Sequence, residues 1–291
     1  MFTCSLCPHR CAAVRDETHG EGRCALPSVT TVARAALHHG EEPCISGERG
    51  SGTVFFGGCT LSCAFCQNHA ISRTAAGRAV TPERLADIFR ELVAAGAHNI
   101  NLVSPTPHLV TIREALSLYR PPVPVVYNSG GYERVETLRS LEGLVDVYLP
   151  DFKYADPSLA AALSGAPDYP AVAEAAIREM VRQTGPLTLD EHGIAVRGTV
   201  VRHLVLPGHT RNSLACLDTL AAIPDIHVSL MFQYTPMRDI DGFPALSRRV
   251  TQRECDKVWD YLLSLGLTDG YVQTRDSAGT AMIPAFDLTG V

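Results

Sequence analysis

The chain has 291 residues and a formal net charge of −6, with 46% hydrophobic and 19% charged residues. This composition is typical of a globular protein and excludes extensive disorder, while the net negative charge gives no electrostatic basis for binding nucleic acid or an anionic membrane. Because there is neither an apolar run of about eighteen residues nor a secretory signal at the N-terminus, we expect a cytoplasmic protein.

From residue 53 onward, short apolar runs alternate with amphipathic helical stretches, and Val29–Leu37 predicts an additional strand before them. The predicted strands are Thr53–Phe56, Asn99–Val103, Val123–Tyr127, Val145–Leu149, Thr199–Leu206 and His227–Phe232. The predicted helices are Pro82–Leu92 after the N-cap Thr81, Thr111–Tyr119, Glu133–Leu141, Ala171–Thr184, Arg211–Ala222 and Thr251–Leu265. Repeated alternation predicts a parallel α/β domain, and periodicity alone leaves a doubly wound sheet and a full or partial barrel both open.

The cysteines are concentrated near the N-terminus. Eight of the ten lie in the first 66 residues, at Cys4, Cys7, Cys11, Cys24, Cys44, Cys59, Cys63 and Cys66. In a reducing compartment, grouped cysteines are more typical of metal or cluster ligands than of disulfides. Cys216 and Cys255 fall in predicted helices, where a free cysteine packs as a small apolar residue. This distribution predicts a cysteine-rich extension over residues 1–50 and a larger domain over residues 51–291.

Three cysteines follow the first predicted parallel strand, at the edge of the sheet where α/β proteins bind ligands. Cys59, Cys63 and Cys66 form a C-x3-C-x2-C pattern, and three thiolates this close can bind one [4Fe–4S] cluster. One iron would then lack a protein ligand and would be open to a substrate or cofactor. A zinc site completed by His69 is the alternative.

The stretch Gly58–Asn68 resembles the signature of the radical S-adenosylmethionine (SAM) enzymes, in the branch related to pyruvate formate-lyase activating enzymes. The stretches Glu42–Gly47, Tyr148–Asp151 and His203–Gly208 are similar to an uncharacterised group named after those activases. The resemblance implies a partial (β/α)6 barrel of radical SAM type with a small cysteine-rich N-terminal extension. It also implies a [4Fe–4S] cluster whose open iron binds SAM, and a 5′-deoxyadenosyl radical that abstracts a hydrogen atom.

The same resemblance implies SAM contacts at the next three strand ends. Hydroxyl groups after the second strand could accept from the SAM ammonium in place of the family's Gly-Gly-Glu. An amide and a hydroxyl after the third strand could bind the ribose or the carboxylate. After the fourth strand, a carboxylate and an ammonium two residues apart share one face, and the ammonium suits the SAM carboxylate. The residues predicted to contact SAM are Ser104, Thr106, Asn128, Ser129, Asp151 and Lys153.

The N-terminal group Cys4, Cys7, Cys11 and Cys24 offers four more ligands. The segment has few apolar residues and would order poorly without a metal. Zinc sites usually combine two C-x2-C pairs, whereas three close cysteines and a distant fourth are nearer to iron–sulfur patterns. We therefore favour a second iron–sulfur cluster over zinc, and both predictions stay open. Cys44 is either a reactive thiol or a buried structural cysteine.

Three functions fit the sequence. The first is activation of a glycyl-radical enzyme, and the second is radical SAM chemistry on a small molecule or another protein residue. Both need an electron donor such as flavodoxin or ferredoxin, and both predict activity only under anaerobic conditions. The third is a non-catalytic iron–sulfur or zinc protein for electron transfer or binding. The sequence identifies neither the substrate nor a catalytic side chain.

Overall fold

The computed structural model describes residues 2–279 and 283–291. The strands are β1 (Phe2–Cys4), β2 (Ala13–Arg15), β3 (Thr30–His38), β4 (Ser51–Phe56), β5 (Arg78–Val80), β6 (Ile100–Val103), β7 (Val125–Ser129), β8 (Val147–Pro150), β9 (Thr188–Leu189), β10 (Ala195–Leu204), β11 (His227–Met231) and β12 (Tyr271–Gln273). The helices are α1 (Pro43–Ser46), α2 (His69–Ser72), α3 (Pro82–Ala94), α4 (Leu109–Leu118), α5 (Val135–Arg139), α6 (Pro157–Ser164), α7 (Tyr169–Thr184), α8 (Thr210–Ala221) and α9 (Gln252–Ser264).

A mostly parallel sheet forms the centre of the protein. Its parallel strands follow the order β4, β6, β7, β8, β10, β11 and β12, and β3 and β5 continue the sheet beyond β4 with antiparallel pairing. The predicted partial barrel of radical SAM type is confirmed. All six predicted parallel strands are present, and the predicted additional strand is β3. Strand β12 is an unpredicted parallel member of the sheet.

The two faces of the sheet bury different residues, because side chains alternate along each strand. On β7, Val125 and Tyr127 belong to the apolar layer shared with helices α3, α4 and α7. Val126, between them, packs inside the barrel against Cys44 and Ile45 of the short helix α1. Helix α1 therefore packs inside the barrel.

The longer helices begin where their capping residues predict. The Thr81 hydroxyl accepts a hydrogen bond from the Arg84 N–H, with Pro82 at the first position of α3. At the start of α9, Thr251 and Glu254 form a capping box. Such caps satisfy N–H groups that have no partner within the helix. None of the helices in residues 2–279 and 283–291 is both long and apolar enough to cross a membrane.

The N-terminal segment begins with a small hairpin in which β1 pairs with β2. Strand β3 then enters the central sheet and pairs with β4. The boundary predicted at residue 50 therefore falls between two hydrogen-bonded strands. The division of the chain into 1–50 and 51–291 stays a prediction.

Candidate functional site

A large cavity lies at the carboxyl ends of the parallel strands. Its empty volume is about 1480 Å³, a figure that includes the space at its open mouth. Eight of the predicted site residues line it together, namely Cys59, Cys63, Cys66, Ser104, Asn128, Ser129, Asp151 and Lys153. Residues from distant parts of the chain are thus brought to one cavity by the strand ends, as the parallel topology predicts.

The three-cysteine loop forms one wall of this cavity. The Ser164 hydroxyl donates to Cys63 Sγ over 3.1 Å, and the Leu61 N–H lies 3.5 Å from Cys59 Sγ. Burial raises the pKa of the Cys59 thiol to about 12 and also raises the pKa of Cys63. Without a metal these thiols are protonated, and an iron–sulfur cluster would stabilise their thiolate forms. The donor set therefore fits a [4Fe–4S] cluster.

The start of the loop is held by groups that the sequence analysis did not assign to the site. His108 Nε2 lies 2.7 Å from the Gly57 carbonyl oxygen, and its ring stacks on Phe56. Burial lowers the pKa of His108 to about 4, so the neutral ring donates its Nε2 proton to Gly57. Gly58 has φ +79°, and a Cβ there would lie 2.4 Å from Leu26 Cδ1. This conformation and this contact require glycine.

Ser104 and Thr106 are separated by the backbone turn after β6. Ser104 lines the cavity, has φ +57° and donates its N–H to the Asn128 carbonyl oxygen over 2.9 Å. Thr106 lies outside the cavity lining and is 2% exposed. Its hydroxyl lies 3.0 Å from Tyr127 Oη and donates to Glu133 Oε1 over 2.8 Å. The Thr106 hydroxyl therefore belongs to this buried network, and its contact with SAM stays a prediction.

A network of charges crosses the opposite wall. Lys153 Nζ forms an ion pair with Asp151, which confirms that these two side chains share a face. Arg202 Nε donates to Asp151 over 2.9 Å, and Arg202 Nη2 donates to Asn128 Oδ1 over 2.6 Å. Burial opposes ionisation of Asp151, but the charges of Arg202 and Lys153 outweigh it and lower the pKa of Asp151. The network therefore holds the carboxylate ionised and Lys153 in place.

Arg202 and Glu41 also line the cavity, in addition to the residues predicted to contact SAM. Arg202 Nη1 donates to Glu41 Oε2 over 3.0 Å, and Glu41 Oε1 also accepts from Asn128 Nδ2 over 3.1 Å. Both ends of the Asn128 amide are thus bonded within the protein. The Ser129 hydroxyl accepts from the Gly131 N–H over 3.2 Å and lies close to Glu133. The acidic pair ahead of Pro43 was the sequence signal for Glu41.

The N-terminal cysteines lie near one another beside the hairpin. Cys4 is buried, Cys7 and Cys24 are half-buried, and Cys11 is exposed. A Cβ on Gly22 would lie 3.1 Å from Cys11 Sγ and 4.0 Å from Cys24 Sγ. Burial and, to a lesser extent, the thiols of Cys4 and Cys11 raise the pKa of Cys7 to about 12. Within residues 2–279 and 283–291, no three His, Cys, Asp or Glu side chains converge on the position of a single metal ion.

The N-terminal segment packs directly against the three-cysteine loop. His9 Nε2 lies 2.9 Å from the Thr60 carbonyl oxygen, next to Cys59. A chain of ring contacts also joins the two regions, with centroid separations of 5.0 to 6.4 Å along His9, Tyr132, Tyr169, Tyr154 and Phe65. The two groups of cysteines therefore belong to one contiguous structure.

Comparisons with known proteins agree with this geometry. A family model described as the radical SAM superfamily matches residues 53–220. The uncharacterised protein MJ0674 of Methanocaldococcus jannaschii is 31% identical over 268 residues, which cover 87% of this chain and 72% of the relative. SuiB of Streptococcus suis bound to S-adenosylmethionine gives a TM-score of 0.54 at 11% identity, over 75% of this chain and 48% of SuiB. SuiB bound to the precursor peptide SuiA gives the same score over 47% of its length.

The chain thus spans about half the length of the SuiB chains. At 11% identity the likeness to SuiB shows the fold alone. S-adenosylmethionine and the precursor peptide SuiA are ligands of SuiB.

Proposed function

The chain belongs to the radical SAM superfamily, and we propose that Cys59, Cys63 and Cys66 hold a [4Fe–4S] cluster for the reductive cleavage of SAM. The observation that carries the proposal is the position of these three thiols on one loop in the wall of the cavity. When bound and reduced, the cluster would supply the electron that breaks the S–C5′ bond of SAM, giving methionine and a 5′-deoxyadenosyl radical. The protein supplies binding, orientation and exclusion of water.

The residues at the strand ends would orient SAM. We propose that the Lys153 side chain, which is held by Asp151, binds the carboxylate of SAM. The ammonium of SAM would donate to the oxygen acceptors of Ser104. The Ser129 hydroxyl lies on the same side of the cavity and is assigned to the ribose. Asn128 acts through the network instead, because its amide bonds Arg202 and Glu41.

We propose that Cys4, Cys7, Cys11 and Cys24 hold a second iron–sulfur cluster, with zinc as the alternative. Cys11 and Cys24 lie beside Gly22, and Cys4 and Cys11 are close enough to Cys7 to raise its pKa, which supports a shared centre. Cysteines grouped as cluster ligands are typical of proteins in a reducing compartment, and we therefore place the protein in the cytoplasm. A one-electron donor such as flavodoxin or ferredoxin would be its redox partner.

For the substrate, we favour a small molecule or a protein side chain over the backbone of a glycyl-radical enzyme. The cavity floor carries buried charged side chains, including Glu41, Glu42 and Arg202, which a glycine residue would not complement. Activation of a glycyl-radical enzyme is the alternative, and the wide mouth of the cavity would admit a peptide loop.

The proposal is tested by anaerobic reconstitution with iron and sulfide, followed by a strong reductant and SAM, with 5′-deoxyadenosine as the product measured. We expect production by the wild-type protein and by Cys216→Ala, because Cys216 is a buried helix residue outside the cavity. We expect Cys63→Ala to abolish it. Production by Cys63→Ala equal to that of Cys216→Ala, or none by iron-loaded, reduced wild-type protein, would contradict the proposal.

A further inference from the structure

The floor of the cavity is made by the residues that lead into helix α1. The helix buries Cys44 and Ile45 inside the barrel, against Val126 and the neighbouring strands. Glu41 and Glu42 precede it and line the cavity directly above. Two adjacent glutamates therefore line the cavity where the chain enters helix α1.

These two glutamates differ in their bonding. The Glu41 carboxylate accepts from Arg202, Asn128 and Asn101 over 3.0, 3.1 and 3.1 Å. Glu42 is 1% exposed, and neither of its carboxylate oxygens has a hydrogen-bond partner. The Ser229 hydroxyl on β11 lies close enough to Glu42 to lower the pKa of its carboxyl, and the two groups do not form a well-aligned hydrogen bond. Glu42 is thus a buried, unpartnered carboxylate in the wall of a cavity.

Burial raises the pKa of Glu42, and the charge of Arg202, which lowers it, does not outweigh the burial. Arg202 directs Nε, Nη1 and Nη2 to Asp151, Glu41 and Asn128, and Lys153 pairs with Asp151. Burying an unpaired carboxylate is unfavourable, and a buried acceptor normally has a donor. The polar floor therefore has an excess of acceptors, and a ligand with a positively charged donor would stabilise the ionised form of Glu42.

Glu42 also lies away from the groups assigned to SAM. Those groups follow β6, β7 and β8. Glu42 is close to Ser229 on β11 and to Tyr271 on β12, across the strand order from them. A ligand group at Glu42 would therefore occupy the part of the cavity that the proposed SAM site leaves to the substrate.

We propose that Glu42, together with the Ser229 hydroxyl, binds a cationic nitrogen of the substrate, either a primary ammonium or a guanidinium group. This inference rests on the proposed function, because it takes the SAM site to lie over β6–β8. The substrate class is then an amine-bearing or guanidine-bearing small molecule or side chain. Its positive group would bind at the floor, with the rest of the molecule directed toward the SAM end.

The first test compares the thermal stability of iron-loaded Glu42→Gln and Glu41→Gln proteins. Replacing an unpartnered buried carboxylate with a neutral isostere removes an unfavourable charge, so we expect Glu42→Gln to raise the melting temperature. Glu41→Gln breaks the ion pair with Arg202 and should lower it. If Glu42→Gln lowered the melting temperature as much as Glu41→Gln does, Glu42 would be a structural partner of Arg202 and the proposal would be overturned.

The second test uses n-butylammonium as the probe, with n-butanol as its neutral counterpart. A charge-assisted hydrogen bond predicts that Glu42→Gln weakens n-butylammonium binding by about tenfold or more, measured as the probe concentration needed to raise the melting temperature. Equal responses of wild type and Glu42→Gln to n-butylammonium would overturn the proposal. So would a Glu42→Gln protein that loses SAM affinity and keeps its response to the amine.

The two proposals fail in different ways. If the proposed function is wrong, wild-type protein produces no 5′-deoxyadenosine, but its melting temperature still responds to n-butylammonium. Failure of the present inference would appear in the amine response and the stability comparison, with 5′-deoxyadenosine production intact.

Discussion

The two groups of cysteines occupy contrasting surroundings. Cys59, Cys63 and Cys66 follow a central strand, and their loop is supported by the His108–Gly57 hydrogen bond and lines the cavity. The N-terminal four lie beside a two-stranded hairpin, with Cys11 exposed to solvent. Both groups offer thiols in similar numbers, so ligand count alone does not separate a reactive centre from a structural one. The cavity beside the first group is what distinguishes them.

The largest effects are expected from replacing one cysteine in each of the two groups. Cys66→Ala should lose SAM cleavage completely while the N-terminal segment stays protected from proteases. Cys11→Ala should lose about half of the bound iron, if each group binds one [4Fe–4S] cluster, and its N-terminal segment should become sensitive to proteases.

Iron per chain and limited proteolysis measure both effects, with Cys255→Ala as the control because this helix cysteine is buried outside both groups. If Cys11→Ala retained all of its iron, or if zinc were recovered in place of iron, the N-terminal cysteines would not hold a second iron–sulfur cluster.

A smaller effect is expected from two glycines, one beside each group. In Gly58→Ala the new Cβ would clash with the Leu26 side chain, and the positive φ of this position is unfavourable for alanine. Together these two effects should lower the free energy of unfolding by about 2–4 kcal/mol. Gly22→Ala meets Cys11 Sγ at 3.1 Å and Ala13 Cβ at 3.0 Å, which are tight contacts that small shifts relieve. We expect a loss of about 1 kcal/mol there.

Chemical denaturation of the two variants decides the order of these effects. Gly96→Ala is a suitable control, because it has a positive φ of +91° and open space around its Cβ position. A larger loss for Gly22→Ala than for Gly58→Ala would show that the N-terminal segment is the more rigid support.

The third prediction concerns the pH dependence of the loop support. Burial lowers the pKa of His108 from 6.5 to about 4, so the unfolded chain binds more protons than the folded one between these values. The stabilisation by neutral His108 is fully present above pH 6.5 and is lost as the pH falls toward 4, by about 3 kcal/mol.

His108→Gln should therefore flatten the fall in unfolding free energy between pH 6.5 and about 4. The exposed His192 provides the control substitution His192→Gln. An unchanged pH profile for His108→Gln would show that the ring is not held neutral in the folded protein.

The fold was largely predictable because apolar runs and helical periodicity repeat along the chain. The six predicted parallel strands are all present, as is the additional strand β3. Strand β12 is different, since it has only the three residues Tyr271–Gln273 and none of them is buried, so its apolar run is too short to predict a strand. Helix α5 begins at Val135, two residues later than predicted, because Glu133 is buried in the network with Thr106 and Tyr127.

The site was predictable where a motif or strand end carried it, and not where it depends on distant contacts. Arg202 bonds Glu41 across 161 residues of sequence, a pairing that no local pattern indicates. The position of Thr106 after a strand end predicts contact with SAM, and the sequence gives no sign of the 3-10 turn over Thr106–His108 that brings its hydroxyl to Glu133. Such positions are fixed by tertiary structure alone.

The most direct test of the central claim is an electron paramagnetic resonance spectrum of reduced, iron-loaded Cys11→Ala protein, recorded before and after addition of SAM. Cys11→Ala removes a ligand of the N-terminal group and Cys63→Ala removes a ligand of the loop, so a SAM-dependent change that occurs in Cys11→Ala and is lost in Cys63→Ala comes from the loop. Because three cysteines leave one iron open, we expect SAM to change the spectrum. A reduced cluster signal that SAM leaves unaltered would contradict the assignment of this loop as the SAM-binding centre.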